Sequence, residues 1–527
     1  MIVYRNSRRT FDTAAVLERL RAPEIDPASL LIGLGELESA IMDALCPEAD
    51  SESAISRTLR RATLAAAHVY CGKPWRGRVL AELEALAKLD LPRQAGGGIS
   101  EGYAWYGLYP EMYLEAARRL YYATRPERAF VLGIRNIGAS LSAVVAAALE
   151  DLGCVVDSCT VRPHGHPFDR RLVLAPELAL RLSRQAAHVY AIVDEGPGLS
   201  GSSMASVASA LSGLGIPDSQ IVFLPSWEPS GDAFFSEAAR ERWRRHPKYC
   251  VSFEEAMPLP GALDLSAGRW RRLLYSDESL WPAVQPQHER RKYLAGDVLL
   301  KFAGLGPYGP PRLDRARRLA AAGFCPRALG LDNGFLRTSF VEGRPLSGLR
   351  DVTPALLDTM ARYLAHLRAH FASPHPAPFD ELAEMVRINT GYEAPEELRP
   401  ALCDAPAVAI DGRMLPHEWI LTAEGYQKTD AVDHHDDHFF PGCQDIAWDI
   451  AGASLEFGMD PAPLAEKYAA LSGDRGIGRR LPFYMRAYAA WRLGYAPLAA
   501  TATAGTPEAT RFQQLAARYA RAARPKR

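Results

Sequence analysis

The stretch Val189-Tyr-Ala-Ile-Val-Asp-Glu-Gly-Pro-Gly-Leu-Ser-Gly-Ser-Ser-Met204 carries the chemistry that stands out first. An apolar run ends in two acids, turns on Gly and Pro, and opens a helix with serines. Bare amides and hydroxyls at a helix start favour a dianionic phosphate. Gly201 lets a backbone approach its ligand closely. Paired carboxylates suit the vicinal hydroxyls of a ribose, which donate hydrogen bonds. A second glycine-containing loop, Gly133-Ile-Arg-Asn-Ile-Gly138, lies upstream between an apolar run and a helix, with one guanidinium at Arg135. Between the two loops runs the polar stretch Arg162-Pro-His-Gly-His-Pro-Phe-Asp-Arg-Arg171. A Gly/Ser turn by itself also fits an ordinary nucleotide-binding sheet. The acids, the helix start and the upstream loop together select the phosphate cradle.

This order of elements, over about 130 residues, resembles the type I phosphoribosyltransferases. The resemblance implies that Asp194 and Glu195 hold the ribose of phosphoribosyl pyrophosphate (PRPP), and that Gly196, Gly198, Ser200, Gly201, Ser202 and Ser203 shape the cradle for its 5-phosphate. It implies that Arg135, Asn136 and Gly138 receive pyrophosphate, with Arg135 joining the two acids in catalysis. Arg162, His164, Arg170 and Arg171 fall where the family has a mobile flap. Mg²⁺ would accompany the leaving pyrophosphate, and catalysis would be charge placement around an oxocarbenium-like state. The chain departs from the pattern in two ways: its turn is one residue longer, and Gly198-Leu199 stands where many members carry an acid.

A second set of residues follows. Val298-Leu-Leu-Lys-Phe302 reads as a strand with one inward lysine, and only eight of the 61 basic residues are lysines. Farther on come Leu415-Pro-His-Glu-Trp419, Lys428-Thr-Asp430 and Asp445-Ile-Ala-Trp-Asp-Ile-Ala451. These resemble the aminoglycoside-phosphotransferase and protein-kinase superfamily, in which a strand lysine reaches ATP phosphates and pairs with a helix acid. The resemblance implies ATP binding by Lys301, with Asp314 as its helix acid and His417 in the catalytic loop. Trp419 takes the position of the catalytic Asp, Asp449 is the structural acid, and no Gly-rich loop precedes Lys301. In Asp430-Ala-Val-Asp-His-His-Asp-Asp-His438, Asp430 and Asp433 are the expected metal ligands; the other acids and histidines read as a solvated turn.

These residues need elements to position them. Residues 1–95 read as helices from their three- and four-residue apolar spacing, a cap or dimerisation element. Gly96–Gly98 reads as a flexible break. Residues 96–255 alternate strands and helices, the pattern of a parallel α/β sheet whose ligands sit at the carboxyl ends of the strands. Residues 256–290, rich in Pro, Trp and Arg, read as a linker or hood. Residues 291–527 read as a bilobal kinase-like domain. The fold class is therefore α/β and α+β multidomain.

Net charge is −1, and 23% of residues are charged. That balance argues against a nucleic-acid partner. No apolar run reaches the roughly 18–20 residues that span a bilayer, and the N-terminus lacks a signal-type apolar segment. Eight scattered cysteines without a CxxC pair fit a reducing cytoplasm. The sequence points to a phosphoribosyltransferase-type enzyme, acting on a phosphoribosyl substrate and an acceptor, joined to an ATP-binding kinase-like domain, with a homodimer plausible. The alternative is a PRPP- or nucleotide-binding sensor with a pseudokinase-like module.

Overall fold

A computed structural model describes residues 8–184, 187–198 and 200–524. Leu199, counted above in the phosphate loop, lies outside the described residues. The described residues divide into two compact units: residues 8–261 with 304–309, and residues 262–303 with 310–524.

The N-terminal unit is built on four parallel strands: β1 (Arg128–Ile134), β2 (Val155–Val161), β3 (Val189–Val193) and β4 (Ile221–Leu224). Their spatial order is β2-β1-β3-β4, with Val131 opposite both Ser158 and Ala191. Every residue of β3 is buried, because a parallel sheet is covered on both faces and its strands become continuous apolar runs. Phe130, Leu132, Ile192 and Phe223 pack with Trp243 on one face.

Helix α2 (Gly138–Asp151) covers the other face. It presses so close to β1 that a Cβ on Gly133 would lie 2.3 Å from Ser142 Oγ. Twelve of its residues are buried, so its outer face also needs a cover. Helix α1 (Pro27–Leu45) and the helix Ala54–Tyr70 supply it. Gly35 of α1 meets Ser140, a Cβ there being 2.8 Å from the serine Cβ.

The N-terminal helices therefore belong to the same compact unit as the parallel sheet. They are not a region apart, as the boundary at residue 95 had it. Gly96–Gly98 is not a break either. Gln94–Gly98 is a strand paired antiparallel with Arg8–Asp12.

The stretch expected as linker or hood is likewise divided. Residues 262–290 group with the C-terminal unit, where Leu263–Asp264 adds an edge strand. The sheet of this unit centres on β5 (Lys292–Ala295), β6 (Val298–Phe302) and β7 (Phe335–Ser339). The five strands run antiparallel, with Ala328–Asp332 on the far edge. Helix α4 (Gly309–Ala321) follows β6, and helix α3 (Ser202–Gly213) is its counterpart after β3 in the other unit. A larger helical part has its own core of Tyr363, Leu364, Trp419, Trp448, Tyr468 and Trp491. A small sheet of β8 (Trp419–Thr422) and β9 (Gly425–Lys428) leads into the acidic segment 430–438. Helix α5 (Ala447–Phe457) packs behind it.

Candidate functional site

In the N-terminal unit, β1 pairs with β2 on one side and β3 on the other, so the chain reverses direction across the sheet between β1 and β3. Loops beyond the carboxyl ends of two such strands bound a crevice. Asp194 and Glu195 end β3 at this point. The Asp194 carboxylate accepts the Glu195 amide at 2.9 Å. Tyr113 Oη donates to the Asp194 carbonyl at 2.7 Å, and Ser226 Oγ donates to the Glu195 carbonyl. Burial raises the Asp194 pKa to about 6. Burial, followed by the like charges of Glu101 and Asp194, raises Glu195 to about 8. Beyond them, Gly196 O accepts the Ser226 amide, and Gly198 is exposed.

The serine turn is docked rather than open. Ser200 and Ser202 hydroxyls each donate to the Pro167 carbonyl at 2.8 Å, and Arg170 donates to Ser203 Oγ at 3.1 Å. The polar stretch expected as a mobile flap is thus a two-stranded hairpin, His164–His166 with Asp169–Arg171, seated on this turn. Gly201 has φ +62°, and a Cβ there would run into the Phe234 ring at 2.5 Å. Arg171 stays in solvent, 80% exposed. His164 Nε2 is buried without a hydrogen-bond partner.

The upstream loop departs from its expected role. Arg135 is fully buried and bound to Asp43 at 2.7 Å and to Asp50 at 2.6 Å. Arg162 also holds Asp43, at 2.6 Å. Burial opposes ionisation of Asp43, but the Arg162 and Arg135 guanidiniums keep its pKa below the ordinary value. Asn136, at φ +117°, donates to Ile99 O at 3.0 Å. Gly138 abuts Val193 O, which a Cβ would approach to 2.8 Å. Arg135, Asn136 and Gly138 are therefore occupied in packing the N-terminal helices and strands onto the sheet. None of the acids that occupy Arg135 carried a readable signal, since Asp43 and Asp50 lie 85 to 92 residues away.

In the C-terminal unit, β6 turns Lys301 inward. Its Nζ lies 2.5 Å from Asp430 Oδ1 and 3.1 Å from Asp433 Oδ1. Burial opposes its charge, but Asp430 and Asp433 outweigh that and raise its pKa. Asp433 also accepts from Arg290 at 3.0 Å, and Arg290 reaches Asp437 at 2.6 Å.

Beside this pair, the fully buried Lys428 bonds Glu418 at 2.9 Å and Asp411 at 3.2 Å. Arg413 holds the other oxygen of Glu418 at 2.9 Å. From α5, the two Asp449 oxygens accept the amides of Asp411 and Gly412, each at 2.8 Å. Trp448 Nε1 donates to Gly412 O. The structural acid expected at Asp449 thus braces the turn Asp411–Arg413.

Some of these groups wall a cavity of ≈ 230 Å³ within this unit. Lys301, Asp430, Glu418 and Arg413 form its polar side, and Leu265, Val284, Phe340 and Val341 are on its apolar side.

Three expectations are corrected here. Asp314 is 68% exposed and faces Arg318 at 3.7 Å, not Lys301. The inner face of α4 carries Arg312 and Arg315, bonded to Ala303 O and Ala431 O. The partners of Lys301 come from the segment after β9 instead. Trp419 is buried in β8, edge-on to Tyr363, and does not line the cavity. The side chain that the braced turn delivers to the cavity is Arg413. The acidic segment is not a solvated turn: Asp433, His434, Asp437 and His438 are buried. His417 does line the cavity, stacked on Trp270 with centroids 5.5 Å apart, and burial drops its pKa to about 4.

Of the two expected metal ligands, Asp433 is held between Lys301 and Arg290. Asp430 has company: Glu418, Asp430 and His434 each bring a ligand atom within 4.8 Å of the others. Arg290, Arg413 and His434 were missed as site residues. Arginines are abundant throughout the chain, and only the fold separates these from the rest.

No known family profile matches this chain, and no curated protein sequence does. Among solved structures, a choline/ethanolamine kinase family protein from Mesorhizobium loti is 19% identical, covering 44% of this chain and 89% of its own, with a TM-score of 0.29. Choline kinase LicA from Streptococcus pneumoniae is 15% identical with the same coverage and TM-score. A glucosamine kinase is 17% identical over 44% of this chain and 74% of its own, at 0.29. Superpositions this loose leave the reading of the chain to its own geometry.

Proposed function

We propose that residues 262–303 with 310–524 form a nucleotide-binding module of the kinase-like type, with ATP as its ligand. The observation that carries this is Lys301 on β6, held by Asp430 and Asp433 at the wall of a cavity with an apolar side. In such modules a strand lysine reaches the phosphates and nearby acids hold the metal ions that neutralise them. The apolar side suits a base. Asp430 would hold the Mg²⁺ that neutralises the phosphate charge. The braced turn offers Arg413 rather than a carboxylate, so no general base stands there to take a substrate proton. Arg413 serves charge stabilisation, and phosphoryl transfer is expected to be slow unless Glu418 or Asp430 takes the proton. Titration calorimetry of the full chain with ATP, with and without Mg²⁺, tests this. Saturable binding weakened at least tenfold in Lys301→Ala is expected, and a flat wild-type titration would overturn it.

A second reading concerns the N-terminal unit. Asp194 and Glu195 at the β1/β3 reversal, with Arg170 beside Ser203, support a site for a phosphoribosyl compound. Arg135 and Asn136 take no part in it, which favours binding over pyrophosphate-releasing turnover and suits a sensor. PRPP titration of wild type and Asp194→Asn separates the outcomes: a PRPP heat lost in the variant supports the site, and none in wild type removes it. The acceptor, and a homodimer, belong to this same proposal.

A further inference from the structure

We infer that Arg413 and Arg492 form an oxyanion subsite in this cavity, for a small carboxylate or phosphate monoester with an aromatic body, bound beside the nucleotide. The acidic side of the cavity wall is already neutralised. Its carboxylates, Glu289, Glu418, Asp430, Asp433 and Asp437, each touch a lysine or an arginine. An ammonium ligand would find these acids taken. Arg492 is the contrasting case. It lines the cavity and is 6% exposed, and the carboxylate it meets, Glu456, is not on the wall. Arg492 Nε lies 3.2 Å from Glu456 Oε1, yet it is buried without an aligned hydrogen bond. Glu456 is engaged elsewhere: Tyr488 Oη donates to it at 2.8 Å, Tyr519 Oη donates at 2.7 and 2.8 Å, and Arg518 approaches at 3.8 Å. A guanidinium buried with an unmet donor is costly unless a ligand completes it.

The second guanidinium comes from the braced turn. Arg413 bonds Glu418 through Nε and one Nη, and among the described residues its other Nη makes no hydrogen bond. Burial opposes the Arg413 charge, Glu418 and Asp430 outweigh that and raise its pKa, and Arg492 acts against it. Two like charges that feel each other in one cavity are relieved by an anion. Arginine forks match the paired oxygens of a carboxylate or a phosphate. The helix Ile477–Ala502 carries Arg492 and sets Trp491 and Tyr495, within about one turn of it, on the same wall. Trp491 is pinned by its Nε1, which donates to Phe439 O at 2.9 Å. Tyr495 stands edge-on to Phe439 and Phe512, with centroids 6.4 and 6.1 Å away. Arg492 itself rests over the Tyr519 ring at 4.9 Å, which fixes its plane. A wall of rings beside two forks suits a flat apolar body with an anionic end.

That the anion is a second ligand rests on the nucleotide reading; the anion site itself does not. The full chain is titrated by calorimetry with phenyl phosphate, phenylacetate and benzylamine, each with and without saturating imido-ATP and Mg²⁺. The two anions separate a phosphate source from a carboxylate source, and the amine has a similar body with the opposite charge. At least one anion should bind at least about tenfold more tightly than benzylamine, the weight of one charge-assisted hydrogen bond, and imido-ATP should not displace it. Arg492→Met, with the circular dichroism of wild type, should weaken that anion by about the same factor or more and leave imido-ATP affinity unchanged. Equal or tighter binding of benzylamine, no binding of either anion, displacement by imido-ATP, or undiminished anion binding by a folded Arg492→Met protein overturns the proposal. Charge preference and displacement are read on wild type, so they decide the matter even where the variant does not fold. Imido-ATP binding without anion binding would sink this site alone, and anion binding without imido-ATP binding would sink only the nucleotide reading.

Discussion

At the scale of single residues, the fold separates groups that bind from groups that hold. Arg135 holds. Its removal leaves Asp50, 1% exposed, without its guanidinium, and breaking a buried pair costs about 3–5 kcal/mol. Arg135→Ala should show that loss in denaturant unfolding, while the ligand affinity of the folded fraction stays unchanged. Asp449 holds too. Asp449→Ala orphans two buried amides and should cost roughly 2–4 kcal/mol, and ATP affinity should fall because the Asp411–Arg413 turn slackens.

Glu195 gives a pH signature. Its folded pKa, about 8, lies above its ordinary 4.5, so the folded state binds the proton more tightly. Stability from this group therefore falls as pH rises from 4.5 to about 8 and stays low above that. Glu195→Gln should flatten that part of the stability profile measured by urea unfolding. A slope in the variant as steep as in wild type would reject the assignment.

At the scale of elements, legibility followed apolar pattern. Strands β1, β3 and β4 were readable because a covered strand is a short apolar run, whereas β2 carries Asp157, Ser158 and Thr160, and β6 was marked by the lysine in its run. The acids after Val193 were readable because they end such a run. The phase of α4 was not. Its inner positions include Arg312 and Arg315, which bond backbone carbonyls, so hydrophobic periodicity points the wrong way and made Asp314 look available. The hairpin 164–171 was hidden by Pro, Gly and His, and the strand Gln94–Gly98 by three glycines. The brace on Asp411 was invisible because the partner lies 38 residues on and the bond is to backbone. Helix α1 offers a test of the packing. A branched side chain at Gly35 must displace the Ser140 backbone, 3.0 Å from the new Cβ. Gly35→Val should destabilise the N-terminal unit by about 1–3 kcal/mol, measured by chemical unfolding, and a neutral result would deny the close contact of α1 with α2.

At the scale of the whole molecule, each unit has its own core and its own cluster of chemistry. Among the described residues no helix is long and apolar enough to cross a membrane. The unit boundary is not a single cut. Residues 304–309 return to the N-terminal unit, where Leu305 N bonds Tyr103 O and Tyr308 meets Glu36. A cut at residue 303 or 310 therefore removes part of one unit's packing, so tests of either site belong on the full chain. The most direct of these is photolabelling with azido-ATP followed by peptide mapping. Saturable labelling in peptides spanning 265–301 or 413–440, displaced by ATP, is the expected result. Labelling confined to the 194–203 loop, or labelling that ATP does not displace, would contradict the account.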